Sequence, residues 1–324
     1  MEDLLTIKNL RTSFPSKKSK TIAVDGVNLH IKAGESVALV GESGCGKSMT
    51  SFSIMNLLPP PGEITEGEII FEGKDLLKLT EREMCGIRGK EISMIFQEPM
   101  TSLNPVLTIG EQIMEVVQYH QNLNRQQAKE KAIEMMELVG FSRVEEILKE
   151  FPHRLSGGMR QRVVIAIAMA CNPKLLIADE PTTALDVTIQ AQILDLMKNI
   201  KKKFNMSILL ITHDLGVVSE LTDRVIVMYA GQVVEEGAVR DIFKKPLHPY
   251  TEGLINSVPS IRGEINRLYS IPGNVSSSQK MQSGCKFAPR CSKAFSRCFV
   301  ENPNLVNIEE SHSARCFLYE QEEV

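Results

Sequence analysis

Short apolar runs separated by turn residues predict strands at the start of the chain. LLTIKNL and VNLHIKAGE alternate apolar and polar residues, as half-buried strands do. The polar, basic stretch SFPSKKSK between them predicts a loop. SVALV, residues 36–40, is an uninterrupted apolar run and predicts a buried strand. MTSFSIMNLL then predicts a helix that ends before three consecutive prolines at residues 59–61.

The middle of the chain has a helical pattern, and two buried strands follow it. Residues from about Pro99 to Ala170 are mainly helical, with AKEKAIEMMELVGF showing apolar residues at helical spacing before Gly140. LLIADE and ILLITHD predict two short buried strands, separated by a helix near Gln190 to Lys203. After Gly253, Pro, Ser and Gly become frequent, which predicts a domain boundary near residues 250–260.

Composition narrows the class of protein. A chain of 324 residues accommodates one large domain with a smaller one, and 43% apolar with 24% charged residues is typical of globular proteins. The net charge of -3 provides no overall basic field for nucleic acid. The longest apolar run, VVIAIAMAC, is far shorter than the roughly 20 residues of a membrane-spanning helix. MEDLLTIKNL lacks the apolar core of a signal peptide. We therefore expect a cytoplasmic protein whose seven cysteines are thiols or metal ligands.

The stretch GESGCGKS, residues 41–48, fits the phosphate-loop pattern G-x-x-x-x-G-K-S between a predicted strand and a predicted helix. Backbone N–H groups of such a loop cradle phosphate oxygens, and the positive end of the following helix adds to the attraction. We expect Lys47 to reach the β- and γ-phosphates of a nucleotide and Ser48 to ligate Mg²⁺. The predicted nucleotide contacts from this stretch are Gly41, Glu42, Ser43, Gly44, Cys45, Gly46, Lys47, Ser48 and Met49.

An acidic strand end and a cysteine within the loop also bear on the predicted nucleotide site. LLIADE ends in two carboxylates: we expect Asp179 to hold Mg²⁺ and Glu180 to polarise the attacking water as general base. Cys45 is either a redox-sensitive thiol near a helix N-terminus or a small residue that fits the loop. We favour packing for Cys45, as for Cys85 and Cys171.

Four more motifs give the chain a resemblance to ABC-type ATPases. LSGGMRQR, residues 155–162, resembles their signature motif, and TALD, residues 183–186, resembles their D-loop. Gln97 in MIFQEP matches the Q-loop glutamine, and His213 in ITHD matches the switch histidine. The resemblance spans roughly residues 1 to 240. It implies an α/β fold, that of a P-loop NTPase of ABC type with a RecA-like core, an antiparallel β subdomain and a helical subdomain at about residues 99–170.

The resemblance also implies roles for individual residues. Such ATPases bind two ATP molecules at a head-to-tail dimer interface, where the signature of one subunit closes on the γ-phosphate held by the other. The residues so implicated are Ser156, Gly157 and Gly158 in the signature, Asp186 in the D-loop, and Gln97 and His213 beside Glu180 as the catalytic set. Gln97 would contact Mg²⁺ and the lytic water, and His213 the γ-phosphate.

The resemblance also bears on two single positions, Phe14 and Met159. Phe14 lies where the family has an adenine-stacking aromatic, and packing in the core is the alternative. Met159 stands where the signature usually has Gln. We expect phosphate binding to survive this change, because the serine and glycines remain.

The cysteines near the C-terminus form C-x5-C-x6-C-x17-C, through Cys285, Cys291, Cys298 and Cys316. Four thiols in a short, loop-rich segment favour a soft-metal site, with free thiols as the alternative. The spacing matches neither the paired C-x2-C of common zinc modules nor the usual ferredoxin runs, so zinc and iron–sulfur both stay open. His312 is a possible ligand or a hydrogen-bond donor to one, but we favour a surface or structural histidine.

Two longer stretches sharpen the resemblance. KPLHPYTEGLINSVPS, residues 245–260, and EPMTSLNPVLTIGEQI, residues 98–113, look like ATPases of the oligopeptide/dipeptide and nickel importer family. The resemblance then covers nearly the whole chain. It implies an ABC ATPase domain at residues 1–250 and a four-cysteine C-terminal domain at residues 251–324. In that family the four cysteines are associated with a 4Fe–4S cluster, which we expect here, with zinc as the alternative.

The function implied is an ATP-hydrolysing subunit that energises import of di- and oligopeptides. The expected partners are two integral membrane permeases, a second ATPase subunit and, indirectly, an extracellular solute-binding protein, with this chain peripheral at the cytoplasmic face of the membrane. Nickel or another solute is the alternative cargo. A soluble ABC ATPase acting on nucleic acid or ribosomes, or a zinc module binding nucleic acid, belongs to a different class. Residues 280–324 hold six Lys/Arg and six Asp/Glu, so we expect no nucleic-acid partner.

Overall fold

The computed structural model describes residues 3–16, 20–98, 102–183, 185–258, 270–275 and 283–320. Its strands are β1 (Asp3–Pro15), β2 (Lys20–Lys32), β3 (Ser36–Val40), β4 (Glu63–Phe71), β5 (Lys74–Asp75), β6 (Ile92–Ile95), β7 (Leu175–Asp179), β8 (Ser207–Thr212), β9 (Arg224–Tyr229), β10 (Gln232–Ala238), β11 (Val306–Glu309) and β12 (His312–Ala314). Its α-helices are α1 (Lys47–Ile54), α2 (Glu81–Ile87), α3 (Ile109–Gln121), α4 (Arg125–Leu138), α5 (Val144–Ile147), α6 (Gly157–Met169), α7 (Val187–Phe204), α8 (Leu215–Leu221), α9 (Val239–Lys244) and α10 (Pro249–Asn256). Short 3-10 helices occur at Leu76–Lys78, Pro152–Arg154, Ala288–Arg290 and Ser296–Phe299.

The chain folds into two compact units. The first contains the described residues of Lys32–Glu35 and Lys78–Leu210. The second contains the described residues of Asp3–Ile31, Ser36–Leu77 and Ile211–Val324. Each unit is therefore built from more than one stretch of the chain.

The first unit combines buried parallel strands with a group of helices. β6 and β7 pair in parallel, from Ile92 opposite Leu175 to Ile95 opposite Ala178, and every residue of both strands is buried. Continuous apolar runs are expected for parallel strands covered on both faces. The helices α3, α4 and α6 pack on one another. Capping boxes begin two of them, at Thr108 for α3 and Asn124 for α4, and satisfy backbone donors that a helix start leaves open.

The second unit holds two sheets. The smaller one is antiparallel, in the order β2-β1-β4-β5. In the larger one the order is β11-β12-β10-β9-β3, with β3 parallel to β9 and the other pairs antiparallel. The predicted loop after residue 12 starts later than expected, because β1 runs to Pro15 and Ser13 pairs with Glu63 of β4. That pairing depends on a strand fifty residues away, which local pattern does not reveal.

An apolar core in the second unit connects the β3–β9 strands with the C-terminal segment. It includes Val40, Tyr229, Tyr250 and Phe287, and the side chains of Cys285 and Cys291 pack against it. Residues from well after position 250 thus share a core with the strand that precedes the phosphate loop. Across the ranges the structure describes, none of the helices is long and apolar enough to cross a membrane.

Candidate functional site

The phosphate loop, residues 41–48, joins the end of β3 to the start of α1. All three of its glycines have positive φ, 153° at Gly41, 79° at Gly44 and 106° at Gly46. A Cβ on Gly41 would lie 2.3 Å from the carbonyl oxygen of Met228, and one on Gly46 would lie 2.4 Å from that of Ala23. Only glycine fits both positions, so the motif glycines set the path of the loop.

Lys47 is held inside this loop. The residue is 6% exposed, and its Nζ donates to the carbonyl oxygens of Gly41 at 2.7 Å and Glu42 at 3.1 Å. The ammonium group is thus positioned by backbone oxygens of the loop it serves. Ser48 follows in the first turn of α1 and is half-buried.

Cys45 is fully buried, and its sulfur lies 3.8 Å from Lys47 Nζ. Burial raises the pKa of the Cys45 thiol, against the lowering influence of the Lys47 ammonium. A raised thiol pKa argues against an activated thiolate and agrees with the packing role predicted for this residue.

Glu42 connects the phosphate loop to two residues that the sequence did not single out. Its N–H donates to Tyr250 Oη at 2.7 Å, and its carboxylate pairs with Arg290. Tyr250 lies in the HPY stretch already noted for its resemblance, which is a weak signal. For Arg290 the sequence offers no signal beyond its position next to Cys291.

Two further predicted residues belong to the same unit. The ring of Phe14 packs on Gly62, where an added Cβ would come within 2.7 Å of it. Adenine stacking by Phe14 stays a prediction. His213 is exposed directly after β8, and Asp214 caps α8 by accepting from the Gly216 N–H at 2.8 Å.

In the first unit, the structure brings together Gln97 and Glu180. Gln97 Nε2 donates to Glu180 Oε2 at 2.9 Å, and Thr183 Oγ1 donates to the same oxygen at 2.9 Å. Glu180 has a positive φ of 47°, a strained backbone conformation for a residue other than glycine. Asp179, the preceding residue, ends β7 and is 3% exposed. Thr183 is an orienting residue that the sequence analysis missed, although it lies in the quoted D-loop.

The signature residues form the start of α6. Ser156 is the N-cap, and its Oγ accepts from the Met159 N–H at 3.4 Å. Residue 159 makes this contact through its backbone, which explains how the serine cap tolerates methionine there. Gly158 packs closely on α7, since an added Cβ would lie 2.7 Å from Ile189 Cγ2. Asp186 caps α7 by accepting from the Ile189 N–H at 3.0 Å, so the signature and the D-loop share a contact at Ile189.

The four C-terminal cysteines line one cavity in the second unit. Aromatic rings share its wall: Phe287, Phe295 and Phe317. Cys285 and Cys298 are also joined by a backbone hydrogen bond of 2.8 Å. The cysteine side chains that face the cavity are Cys285, Cys291, Cys298 and Cys316.

Three of these thiols, those of Cys285, Cys291 and Cys316, have an environment that disfavours ionisation. Burial, and after it the three neighbouring thiols, raises the pKa of Cys316 to about 11, and burial also raises the pKa of Cys285 and Cys291. His312 lies elsewhere: it is 1% exposed and its Nε2 lies 2.8 Å from Glu235 Oε1, a structural role. In the part of the chain that the structure describes, no group of three or more His, Cys, Asp or Glu side chains is arranged to hold a metal ion. The metal cluster therefore stays a prediction.

Sequence comparison finds two family matches. The ABC transporter family matches residues 24–183, and the C-terminal region of oligopeptide/dipeptide transporters matches residues 234–298. The chain is similar to the oligopeptide transport ATP-binding protein AppD of Bacillus subtilis, at 62% identity over 99% of this chain and 98% of that protein. It is 53% identical to OppD of the same organism, another oligopeptide transport ATP-binding protein, over 97% of this chain and 88% of the relative. The dipeptide transport ATP-binding protein DppD is 49% identical over 99% and 96% of the two chains.

Solved structures with the same fold cover about three quarters of the chain. One is a dimeric ATP-binding cassette in a post-hydrolysis state with ADP and phosphate bound, with a TM-score of 0.66 at 30% identity over 73% of this chain and 99% of that one. Another is cbiO1 from Clostridium perfringens, part of an ABC transporter complex, with a TM-score of 0.65 at 25% identity over 76% and 92%.

Proposed function

Because the chain belongs to the family of ATP-binding subunits of oligopeptide and dipeptide ABC transporters, we propose that it powers peptide import with the residues described above. The observation that carries the proposal is the preformed phosphate loop, in which Lys47 is already held by the carbonyls of Gly41 and Glu42. Such a loop needs no rearrangement of its lysine before it meets a nucleotide phosphate.

Lys47 would compensate the charge on the β- and γ-phosphates of ATP. Ser48 and Asp179 are the proposed Mg²⁺ ligands, with Gln97 in contact with the same ion. Bound Mg²⁺ would neutralise charge that develops on the phosphate oxygens. Asp179 lies at a strand end and is 3% exposed, and this burial supports its assignment as a Mg²⁺ ligand, because buried carboxylates are paired or bind metals.

Glu180 is the proposed general base for the attacking water. Its Oε2 accepts hydrogen bonds from Gln97 and Thr183, which supports a fixed carboxylate rather than a mobile surface one. His213 would contact the γ-phosphate. Phe14 is the proposed adenine-stacking residue.

A second ATPase subunit, identical or different, would complete each site. The N-terminus of α6, a helix of 13 residues, attracts anions. It offers the Ser156 hydroxyl and the N–H groups of Gly157 and Gly158, which suit the γ-phosphate held by the other subunit. The dimeric cassette among the similar structures supports this arrangement. Asp186 holds the D-loop against the signature through Ile189.

The chain would act at the cytoplasmic face of the membrane, bound to two integral permeases that convert its ATP-driven movements into import. An extracellular solute-binding protein would deliver the cargo. Peptides are the proposed cargo, because all three Bacillus relatives are named for oligopeptide or dipeptide transport. Nickel complexes are the second candidate within the family, since cargo selection belongs to the partners.

The C-terminal cysteines are proposed to hold a 4Fe–4S cluster, with zinc as the alternative. The donor set supports it: four thiols line one cavity, and a soft metal would displace their protons on binding. Four thiols are the donor set that soft metals take, and it suits zinc as well as an iron–sulfur cluster. A bound cluster would supply a cross-link that stabilises this loop-rich segment.

The experiment that tests the transport proposal is affinity purification of the full chain from membranes of a host that expresses it. Integral permeases recovered in defined stoichiometry, with ATPase activity that rises when a peptide-loaded binding protein is added, support the proposal. Recovery with ribosomes or DNA, and no permease, would show that the chain works in another process.

A further inference from the structure

Glu42 of the phosphate loop forms an ion pair with Arg290, a residue near the C-terminus. Arg290 Nη1 donates to Glu42 Oε2 at 2.6 Å, and Arg290 Nη2 donates to Glu42 Oε1 at 2.9 Å. The arginine side chain is 4% exposed and the glutamate side chain 28%. A two-point guanidinium–carboxylate contact fixes orientation as well as distance, unlike an exposed single-point pair.

Arg290 is itself held in place. Its Nε donates to the carbonyl of Pro272 at 2.7 Å, and Nη1 also donates to Tyr229 Oη at 3.2 Å. The guanidinium lies over the Tyr229 ring, 5.6 Å from the ring centroid. The hydrogen bonds to Glu42 raise the pKa of Arg290 above its usual range, so the group is a permanent cation. The pair thus links the phosphate loop to a side chain that Pro272 and Tyr229 also hold.

Lys286, four residues before Arg290, supports the loop indirectly near Cys45. Lys286 Nζ donates to Asp25 Oδ2 at 2.6 Å and to the carbonyl of Ala230 at 3.1 Å. The next residue, Gly231, donates its N–H to the Cys45 carbonyl at 2.9 Å. One short segment, residues 285–291, therefore contacts the loop directly at Glu42 and supports the turn that holds Cys45.

Cysteines stand at both ends of this segment. Cys285 precedes Lys286, Cys291 follows Arg290, and both line the four-cysteine cavity. The sequence C-K-F-A-P-R-C places the two cations between two thiols. Between them lies a single turn of 3-10 helix, Ala288–Arg290, whose last residue contacts Glu42 of the phosphate loop.

Charge gives the contact a second effect. An unpaired Glu42 carboxylate in a phosphate-binding loop would repel the phosphates of ATP, and Arg290 neutralises it. Phosphate binding by such a loop depends on N–H groups that are oriented before the ligand arrives. A loop that loses its anchor must therefore be ordered at the cost of binding free energy.

We propose that Arg290 is a positioning residue of the nucleotide site: through Glu42 it holds the phosphate loop ready for ATP, which makes the segment of residues 285–291 part of that site. The inference rests on the proposed ATP binding at the loop.

The test is equilibrium binding of MgATP to the full chain, with Arg290→Gln, Glu42→Gln and the double variant. We expect Arg290→Gln to weaken binding about tenfold, in line with loss of a charge-assisted hydrogen-bonded pair. In the Glu42→Gln background the same change should alter affinity by less than about twofold, because its target is gone. Arg290→Lys keeps the charge but loses the fork, so its affinity should lie between the two.

Arg297→Gln is the matched control. It removes a guanidinium that lies six residues beyond the 285–291 segment and pairs with Glu301 and Glu320 rather than with the loop, so this variant should bind MgATP like the parent. If Arg290→Gln does not fold, the cycle of Glu42→Gln with Arg290→Lys carries the same test.

Parent-like affinity in Arg290→Gln, equal losses with and without Glu42, or an equal loss in Arg297→Gln would each overturn the inference while leaving ATP binding intact. A parent chain that does not bind MgATP would overturn the proposed function and the inference together.

Discussion

Replacing Glu180 by glutamine isolates the chemical step of ATP hydrolysis. Gln97 Nε2 and Thr183 Oγ1 both donate to one carboxylate oxygen, Oε2, at 2.9 Å. An amide oxygen in the place of Oε2 accepts both bonds, so Glu180→Gln preserves the local structure. The change removes only the ability to take a proton from water.

The expected loss follows from that restricted change. A positioned general base contributes about 10²–10⁴-fold to a rate, which corresponds to about 2.7 to 5.5 kcal/mol of activation free energy. The affinity for MgATP should stay within about twofold of the parent's, because Glu180 is not part of the phosphate loop that binds the nucleotide. Steady-state ATPase rates and equilibrium MgATP binding, measured on the same preparation with its partner subunits, separate the two quantities.

Thr183→Val provides the control. It removes one hydrogen bond to Glu180 and leaves the carboxylate, so the rate should fall by no more than about tenfold, the effect of one net hydrogen bond. A Glu180→Gln variant that hydrolyses ATP at the parent rate would refute Glu180 as the base. A loss in Thr183→Val equal to that in Glu180→Gln would place the effect in local geometry instead.

Three other predictions concern binding, pH and metal. Lys47→Ala should weaken MgATP binding at least about 100-fold in calorimetry, since the phosphates lose their buried cation; affinity within threefold of the parent would contradict the assigned role. Burial lowers the pKa of His248 from 6.5 to about 3, so the unfolded chain takes up a proton below pH 6.5 that the folded chain does not. The free energy of unfolding should therefore fall by about 1.4 kcal/mol between pH 7.5 and 5.5. His248→Asn should flatten this slope, because the asparagine oxygen can still accept the hydrogen bond that His248 Nδ1 accepts from the Tyr250 N–H; an unchanged slope in urea titrations would contradict it. Cys291→Ser should lower bound metal, iron with sulfide or else zinc, by elemental analysis of anaerobically purified protein, whereas Cys171→Ser should not; equal metal in both variants would remove Cys291 as a ligand.

Local sequence predicted the course of the phosphate loop, whereas nucleotide binding by its residues stays a prediction. Gly41, Gly46 and Lys47 stand where their spacing requires, because a phosphate loop between strand and helix is built from consecutive residues. The pairing of Gln97 with Glu180 agrees with the roles that family resemblance implies for both.

Contacts between residues far apart in the chain could not be predicted from local sequence patterns. Arg290 and Glu42 are 248 positions apart, and no periodicity marks one as the partner of the other. The continuation of β1 to Pro15 depends on the ladder with β4, which overrides the loop composition of that stretch. Metal ligation also exceeds what spacing reveals, because it depends on the positions of four sulfurs.

Peptide uptake by reconstituted vesicles tests the central claim most directly. This chain, its second ATPase subunit and the permeases would be placed in vesicles with a peptide-loaded binding protein on the opposite side from ATP. We predict ATP-dependent accumulation of peptide that Glu180→Gln abolishes while MgATP still binds. Uptake that is unaffected by Glu180→Gln, or that proceeds without this chain, would contradict the account.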